Sequence, residues 1–290
     1  MAVHIKKDIV SAWRQFSRSK LGVTGLIIIL IFIFVAVAAP IISPYDPQVL
    51  FLAPRFSAPS FKYLLGTDDV GRDVFSQIIY GSRISLTVGL LAAVVGTSLG
   101  TTIGLVSGYY GGILDDIFMR ITDIFLVIPF IPLAILLALC VGPNIWNVIL
   151  LLGFFGWPPA ARQVRSLALS LKELPFIEAA RAIGAGDRRI IFRHILPNVT
   201  GIIIANVVSR TVFAILMEAG LAFLGASDPR NISWGMMIFH AMRSGAVFYG
   251  AWWTYIPAGL CIAILACGFA FLGHGITLIL NPRLRGRAGL

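Results

Sequence analysis

Residues able to do chemistry are sparse in this sequence and stand far apart. His240 and His274 have no nucleophile or carboxylate beside them, and a general base needs its partner within hydrogen-bond reach. Gly104-Leu105-Val106-Ser107-Gly108 lacks the Gly-x-Ser-x-Gly spacing that would present a serine nucleophile. Asp115-Asp116 closes an apolar segment, where capping or hydration explains an acidic pair better than an aspartyl dyad. Cys140, Cys261 and Cys267 lie in apolar runs without metal-ligand spacing and read as small hydrophobes. Asp68-Asp69 sits in a turn-rich stretch, where shaping turns is the better explanation and a metal or phosphate site the lesser one. No Gly-x4-Gly-Lys-Ser/Thr occurs, so the chain does not itself cradle ATP phosphates. The reading is a non-catalytic chain that binds no cofactor or metal of its own. Two ionisable residues stand out: Arg210 and Glu218, inside the apolar segment from Asn198 to Leu224. Such residues face a bundle interior or water. Eight positions apart on a helix they are about 80° out of register, so they need not pair. Each is a candidate for a substrate path or for a tie to a neighbouring helix or subunit.

The elements that must hold these residues are membrane spans. The chain has 290 residues, 58% apolar and 12% charged, with mean hydropathy +0.90, far from the roughly one-quarter charged content of soluble domains. About 20 apolar residues cross a bilayer. Leu21 to Tyr45 holds one span, Ile84 to Leu114 a second, and Ile124 to Ala161 two more, split at Val141-Gly142-Pro143-Asn144. Asn198 to Leu224 adds a fifth and about Tyr255 to Leu280 a sixth. The expected fold class is an all-α polytopic membrane protein with six transmembrane helices. Pro129 and Pro132 should bend the third span, and Trp157-Pro158-Pro159 should kink the fourth. Gly96, Gly100, Gly104, Gly108 and Gly112 recur every four residues in the second, a stripe that lets another helix approach at backbone distance.

The net charge of +10 is a topology signal, and nucleic acid is not the expected partner. Lys6, Lys7, Arg14, Arg18 and Lys20 precede the first span; Arg162, Arg165, Lys172, Arg181, Arg188, Arg189 and Arg193 lie between the fourth and fifth; Arg283, Arg285 and Arg287 follow the sixth. With six spans all three groups share one side, the cytosol by the positive-inside rule, so both termini are expected there. The stretch from His4 to Lys20 places Ile5, Ile9, Trp13 and Phe16 on one helical face, an amphipathic helix for the membrane surface. Ala36-Val37-Ala38 resembles a signal-peptidase site, but the preceding apolar run is too long for a cleaved signal, so an uncleaved anchor is expected.

Between the fourth and fifth spans lies a charged island, Glu178-Ala179-Ala180-Arg181-Ala182-Ile183-Gly184-Ala185-Gly186-Asp187, continuing to Ile195-Leu196-Pro197. Its first part favours a short helix, Gly184 and Gly186 give the backbone freedom for a sharp turn, and Asp187 is placed to cap a second helix. A short helix displayed at the membrane surface and tied to the next span can pass a push into the bundle. Glu-Ala-Ala, then Gly, then Ile-Leu-Pro resembles the cytoplasmic EAA loop of ABC-importer permeases, with His194 where an aliphatic residue is usual. Leu65-Gly66-Thr67-Asp68-Asp69-Val70-Gly71-Arg72-Asp73-Val74-Phe75-Ser76 is similar to the stretch before the second span in one permease of the dipeptide, oligopeptide and nickel importer family. Leu221-Ala222-Phe223-Leu224-Gly225 and Ser233-Trp234-Gly235-Met236 also resemble it.

The resemblance covers about Leu65 to Pro282 and implies a five-helix permease core from spans two to six, with the first span an N-terminal addition. Four regions follow: a cytoplasmic amphipathic helix, 1–20; the first transmembrane helix and an extracytoplasmic loop, 21–83; the permease domain, 84–282, with its cytoplasmic EAA loop at about 166–197; and a basic cytoplasmic tail, 283–290. It also implies a multi-pass location in the cytoplasmic (inner) membrane, contact with membrane lipid, a second related permease forming a heterodimer, and an extracytoplasmic binding protein. Two ATPase subunits would bind ATP and Mg. Glu178, Ala179, Ala180, Gly184, Ile195, Leu196 and Pro197 would couple to them. Peptides are the expected substrate, with nickel complexes or oligosaccharides as alternatives. An ion-coupled secondary transporter is the rival reading; it has no need of the island and would be expected to bury more acidic residues than Glu218.

Overall fold

The computed structural model describes residues 13–142 and 144–280, and regular structure there is helical apart from one isolated bridge, Thr67 to Asp73. The amphipathic helix expected from His4 lies mostly outside the described residues, as does the tail 283–290. At its described end Phe16 is buried while Trp13 is exposed.

Helix α1, Lys20–Ile42, begins where the Ser19 hydroxyl accepts from the Gly22 backbone N–H. Helix α2, Val74–Tyr110, begins ten positions before the expected Ile84, because Asp73 caps it: one carboxylate oxygen accepts from the Ser76 N–H at 2.8 Å and from the Ser76 hydroxyl at 2.6 Å. At 37 residues α2 is about 55 Å long, more than the roughly 30 Å hydrocarbon core requires. Gly111 and Gly112, at φ +68° and +57°, end it and open α3, Gly112–Val127. After Pro129 the chain bends by 85° into α4, Phe130–Val141. Then come α5, Ile145–Gly156, capped by Asn144, and α6, Pro158–Lys172, separated at Trp157. Helix α7 is Pro175–Ala182, and α8 is Asp187–Phe223, widened to a π turn over Ile191–Ile195. Helix α9, Trp234–Arg243, and α10, Ile256–Leu280, complete the order.

Four of these, α1, α2, α8 and α10 with its preceding turn, are long and apolar enough to cross a bilayer, and α3 with α4 makes a fifth if the bent pair is one span. The remaining expected span, the fourth, falls on α5 and α6. Helix α5 alone, 12 residues, reaches about 18 Å, short of a bilayer. The count of six therefore does not appear as six long helices, since Pro129 and Pro158 break two of the expected spans.

Helix α2 is the axis of the bundle. On one side Gly96, Gly100, Gly104 and Gly108 lie against α5 and α6: a Cβ on Gly100 would fall 2.5 Å from the Trp157 carbonyl oxygen, and one on Gly104 2.6 Å from that of Ala161. Elsewhere on α2, Gly89 receives Ile215 of α8. Gly112 departs from the expected stripe. It lies past the end of α2, with open space around it, and its role is the positive φ of the corner. Helix α1 packs on α10 through glycines on both, Gly22 against Gly275 and Gly25 against Gly268.

Candidate functional site

The island folds as two short arms on a shared apolar floor. Leu105 and Tyr109 from α2, Val164 and Ala168 from α6, Ile177 from α7, and Ile190, Ile195 and Val199 from α8 are all buried together there. Helix α7 is therefore two-faced. Ile177 lies in the floor and Ala180 is buried, while Phe176, Glu178, Ala179 and Ile183 are exposed. Ala180 is 8% exposed within this chain alone. Ile195 is fully buried in the floor and Leu196 packs against it, so these two anchor the island from below; Pro197, in the first turn of the Leu196–Phe223 segment, is exposed.

Gly184 has φ +84° with open space beside it, so the turn needs glycine for its backbone and not for room. Gly186 stands at φ −71°, which any residue adopts. Asp187 is the first residue of α8, and its side chain makes no cap; its carboxylate instead accepts from the Tyr109 hydroxyl at 2.7 Å. Arg181 lies over the same Tyr109 ring at 6.0 Å. The turn between α7 and α8 is thereby pinned to the end of α2. Phe192 and Ile183, 65% and 86% exposed, and Phe176, 44%, give the outer surface an apolar character that sequence reading had not singled out. The available signal was the spacing 176, 179, 183, which falls on one helical face. His194 stands against the Phe176 ring, 6.3 Å between centroids.

Two ion pairs fix the neighbouring corner. Arg165 of α6 binds both oxygens of Asp115, and Arg162 binds Asp123. Asp115 is thus neither a cap nor a hydrated surface group; it is buried and holds the start of α3 onto α6.

Arg210 and Glu218 occupy different environments. Glu218 is 2% exposed, its oxygens without hydrogen-bond partners of good geometry, and the Ser233 hydroxyl is the polar group facing it. Arg210 is half-buried at the wall of a 410 Å³ cavity between α6, α8 and α10, with Phe213 beneath its guanidinium at 5.6 Å. The two do not meet.

On the opposite end of α2, Asp68 organises the turn: one oxygen accepts from the Val70 and Arg72 N–H groups, the other from Arg72 Nε at 2.6 Å and Gln77 Nε2 at 2.8 Å. Its acceptor sites are filled from within the chain. His240 and Asp69 line a small crevice beside it. Burial, then the Asp68 charge, raises the Asp69 pKa against the opposing pull of Arg72, His240 and a backbone hydrogen bond. Burial, then Arg72, lowers that of His240. In the Ser233-Trp234-Gly235 element, Ser233 caps α9, Trp234 is fully buried with Nε1 donating to the Ile78 carbonyl at 3.0 Å, and Gly235 lies directly against Ala219 of α8.

Residues 100–286 match the family described as "Binding-protein-dependent transport system inner membrane component", and 9–59 match the "N-terminal TM domain of oligopeptide transport permease C". The chain belongs to this permease family. Among its relatives, the oligopeptide transport system permease protein OppC of Bacillus subtilis (strain 168) is 36% identical over 98% of this chain and 94% of that protein. The dipeptide transport system permease protein DppC of Alkalihalophilus pseudofirmus is 38% identical, covering 95% and 91%. A putative peptide transport system permease of Brucella suis biovar 1 is 37% identical, covering 97% and 94%. As a permease of this family the chain is a multi-pass inner-membrane component of an ABC importer, a system that also comprises ATPases and a binding protein.

Proposed function

We propose that this chain forms half of a peptide translocation pathway and receives the ATP-driven stroke through α7. The observation that carries the reading is the two-faced island: exposed Phe176, Ala179 and Ile183 outside, Ile177 inside on a floor shared with α2, α6 and α8. A helix packed this way moves with its bundle when a partner pushes its outer face. The partner is one of two ATPase subunits, which hold ATP and Mg; this chain is non-catalytic. A second, related permease completes a heterodimer, and an extracytoplasmic binding protein delivers the substrate. Peptides are the substrate class because the named relatives are oligopeptide and dipeptide permeases. With α5 and the start of α6 together making a sixth crossing, residues 162–197 and both termini lie in the cytosol. ATP closes the ATPases, draws the coupling helices together and turns the cavity outward; hydrolysis resets it.

The test reconstitutes the whole importer in nucleotide-loaded vesicles. Ile183→Asp, at a position too exposed to affect folding, and Gly184→Glu, which strains the φ +84° turn and charges it, should leave the chain inserted yet depress ATPase binding and substrate-stimulated hydrolysis about tenfold. Glu178→Ala should give a milder defect in the same assay. Uptake that proceeds without ATP, follows an imposed proton or sodium gradient and ignores Gly184→Glu would establish a secondary carrier instead.

A further inference from the structure

The cavity beside Arg210 has one charged group in its wall, the Arg210 guanidinium. Its polar wall consists of Gln163 from α6, Asn206, Ser209 and Arg210 from α8, and Thr277 from α10, and no acidic side chain lines it. Arg210 has no ion-pair partner among the described residues, and its described ring contact is the face of Phe213. One turn away, Asn206 is 7% exposed and its amide nitrogen is buried without an acceptor. A cation placed halfway along a membrane helix carries a large cost unless it faces water or an anion, and a buried donor left unpaired costs about 1–3 kcal/mol. Both deficits are relieved by one ligand type, an anion with two acceptor oxygens, for which the planar guanidinium fork is the matching shape.

We propose that Arg210, with Asn206 beside it, binds the C-terminal carboxylate of the peptide in transit. The inference rests on the peptide-permease reading above and adds the chemical group that is recognised and the residues that recognise it. Size favours a free ligand over an acidic side chain from the companion permease: at 410 Å³ the cavity falls in the range of small-molecule sites, about 300–1,000 Å³. Position agrees, since Arg210 lies near the middle of the Leu196–Phe223 segment, at the depth where a transported solute must pass.

The experiment uses the complete importer in vesicles and two probes, a mixed tripeptide pool with free carboxylates and the same pool amidated at the C-terminus. Uptake is read by mass spectrometry and normalised to occupancy of the binding protein. The wild type should import the free-acid pool at least tenfold faster than the amide pool. Arg210→Gln should lower free-acid uptake about tenfold or more, the factor a lost charged hydrogen bond carries, and change amide uptake less than twofold. Arg210→Lys, which keeps the charge and loses the fork, should fall between. Equal loss of both pools with the complex intact would make Arg210 a gating residue and overturn the proposal, as would equal wild-type rates. Dissociation of the two permeases in Arg210→Gln would assign the arginine to the subunit interface and overturn it as well. If Arg210→Gln does not accumulate in the membrane, an unchanged acid-to-amide ratio in Arg210→Lys overturns it, and a reduced ratio supports it. Absence of ATP-driven uptake of both pools by the wild type is a separate outcome: it removes the peptide reading, and the carboxylate site with it.

Discussion

At the scale of single residues, the contacts that matter most are polar ones joining segments far apart in sequence. Arg165→Ala would leave the buried Asp115 carboxylate without its bidentate partner, and a lost hydrogen bond to a charged group costs about 1.5–3 kcal/mol. The double change Asp115→Asn with Arg165→Gln should recover part of that loss, which thermal melting of the purified complex can measure. Tyr109→Phe removes one hydrogen bond to Asp187 at constant volume; the expected outcome is faster amide exchange over residues 176–190 with little change in total stability. His240 brings a pH dependence. Its pKa is lowered, by burial first and then by Arg72, with Asp69 and Asp68 pulling the other way and Arg243 adding to the lowering. A depressed folded-state pKa means the contribution is fully present above the unfolded value, about 6.5, and is lost as pH falls through the folded value. Melting temperature should therefore drop on acidification from pH 7 toward 5.5, and His240→Asn should flatten that slope; equal slopes would show that His240 is not the titrating group.

At the scale of elements, α2 works as an axis because its glycines let backbones touch, and the five glycines of the sequence pattern divide by what each adjoins. Gly104→Ala sets a Cβ 2.6 Å from the Ala161 carbonyl and 2.9 Å from Val164 Cβ, so the helices must separate and the importer should fail to assemble. Gly112→Ala meets no neighbour and carries only the positive-φ penalty of about 1–2 kcal/mol. Co-purification of all subunits from membranes separates the two, and equal yields would show that this face of α2 does not depend on close approach. The conservative control on α2 is Val94→Leu, at an exposed position. Val95, its neighbour in sequence, packs directly on Gly153 of α5 and would not be neutral.

For the whole molecule, the charge distribution and the helices make a topology that labelling can test. A Cys-free background requires replacing Cys140, Cys261 and Cys267, which are exposed or half-buried and form no disulfide. A single cysteine at Arg188, exposed on the island, should react with an impermeant reagent in inside-out vesicles and stay unlabelled in intact cells, while one at Phe61 should behave in the opposite way. Labelling of position 188 from outside would invert the orientation. The many exposed apolar side chains on α1, α3 and α10, such as Phe34, Ile113 and Leu260, are what a lipid-facing surface requires.

The sequence by itself determined the class, the apolar segments and the location of the island, because each is written in local composition: charge-free runs, prolines 129 and 158, and an Ala-rich stretch before Gly184. It also yielded the glycine repeat. Which side of each element meets which neighbour was decided by tertiary structure. Ala179 and Ala180 are adjacent and alike in sequence, yet one is exposed and the other is buried. Asp115 and Asp187 looked like local caps, and each instead partners a side chain dozens of residues away, Arg165 and Tyr109. Arg210 and Glu218 looked equivalent, and packing buried one among helices while leaving the other at a cavity. The number of crossings escaped the sequence for the same reason. Hydropathy measures how apolar a run is, whereas whether a proline-broken run crosses a membrane depends on the angle of the break and on the helices that support it.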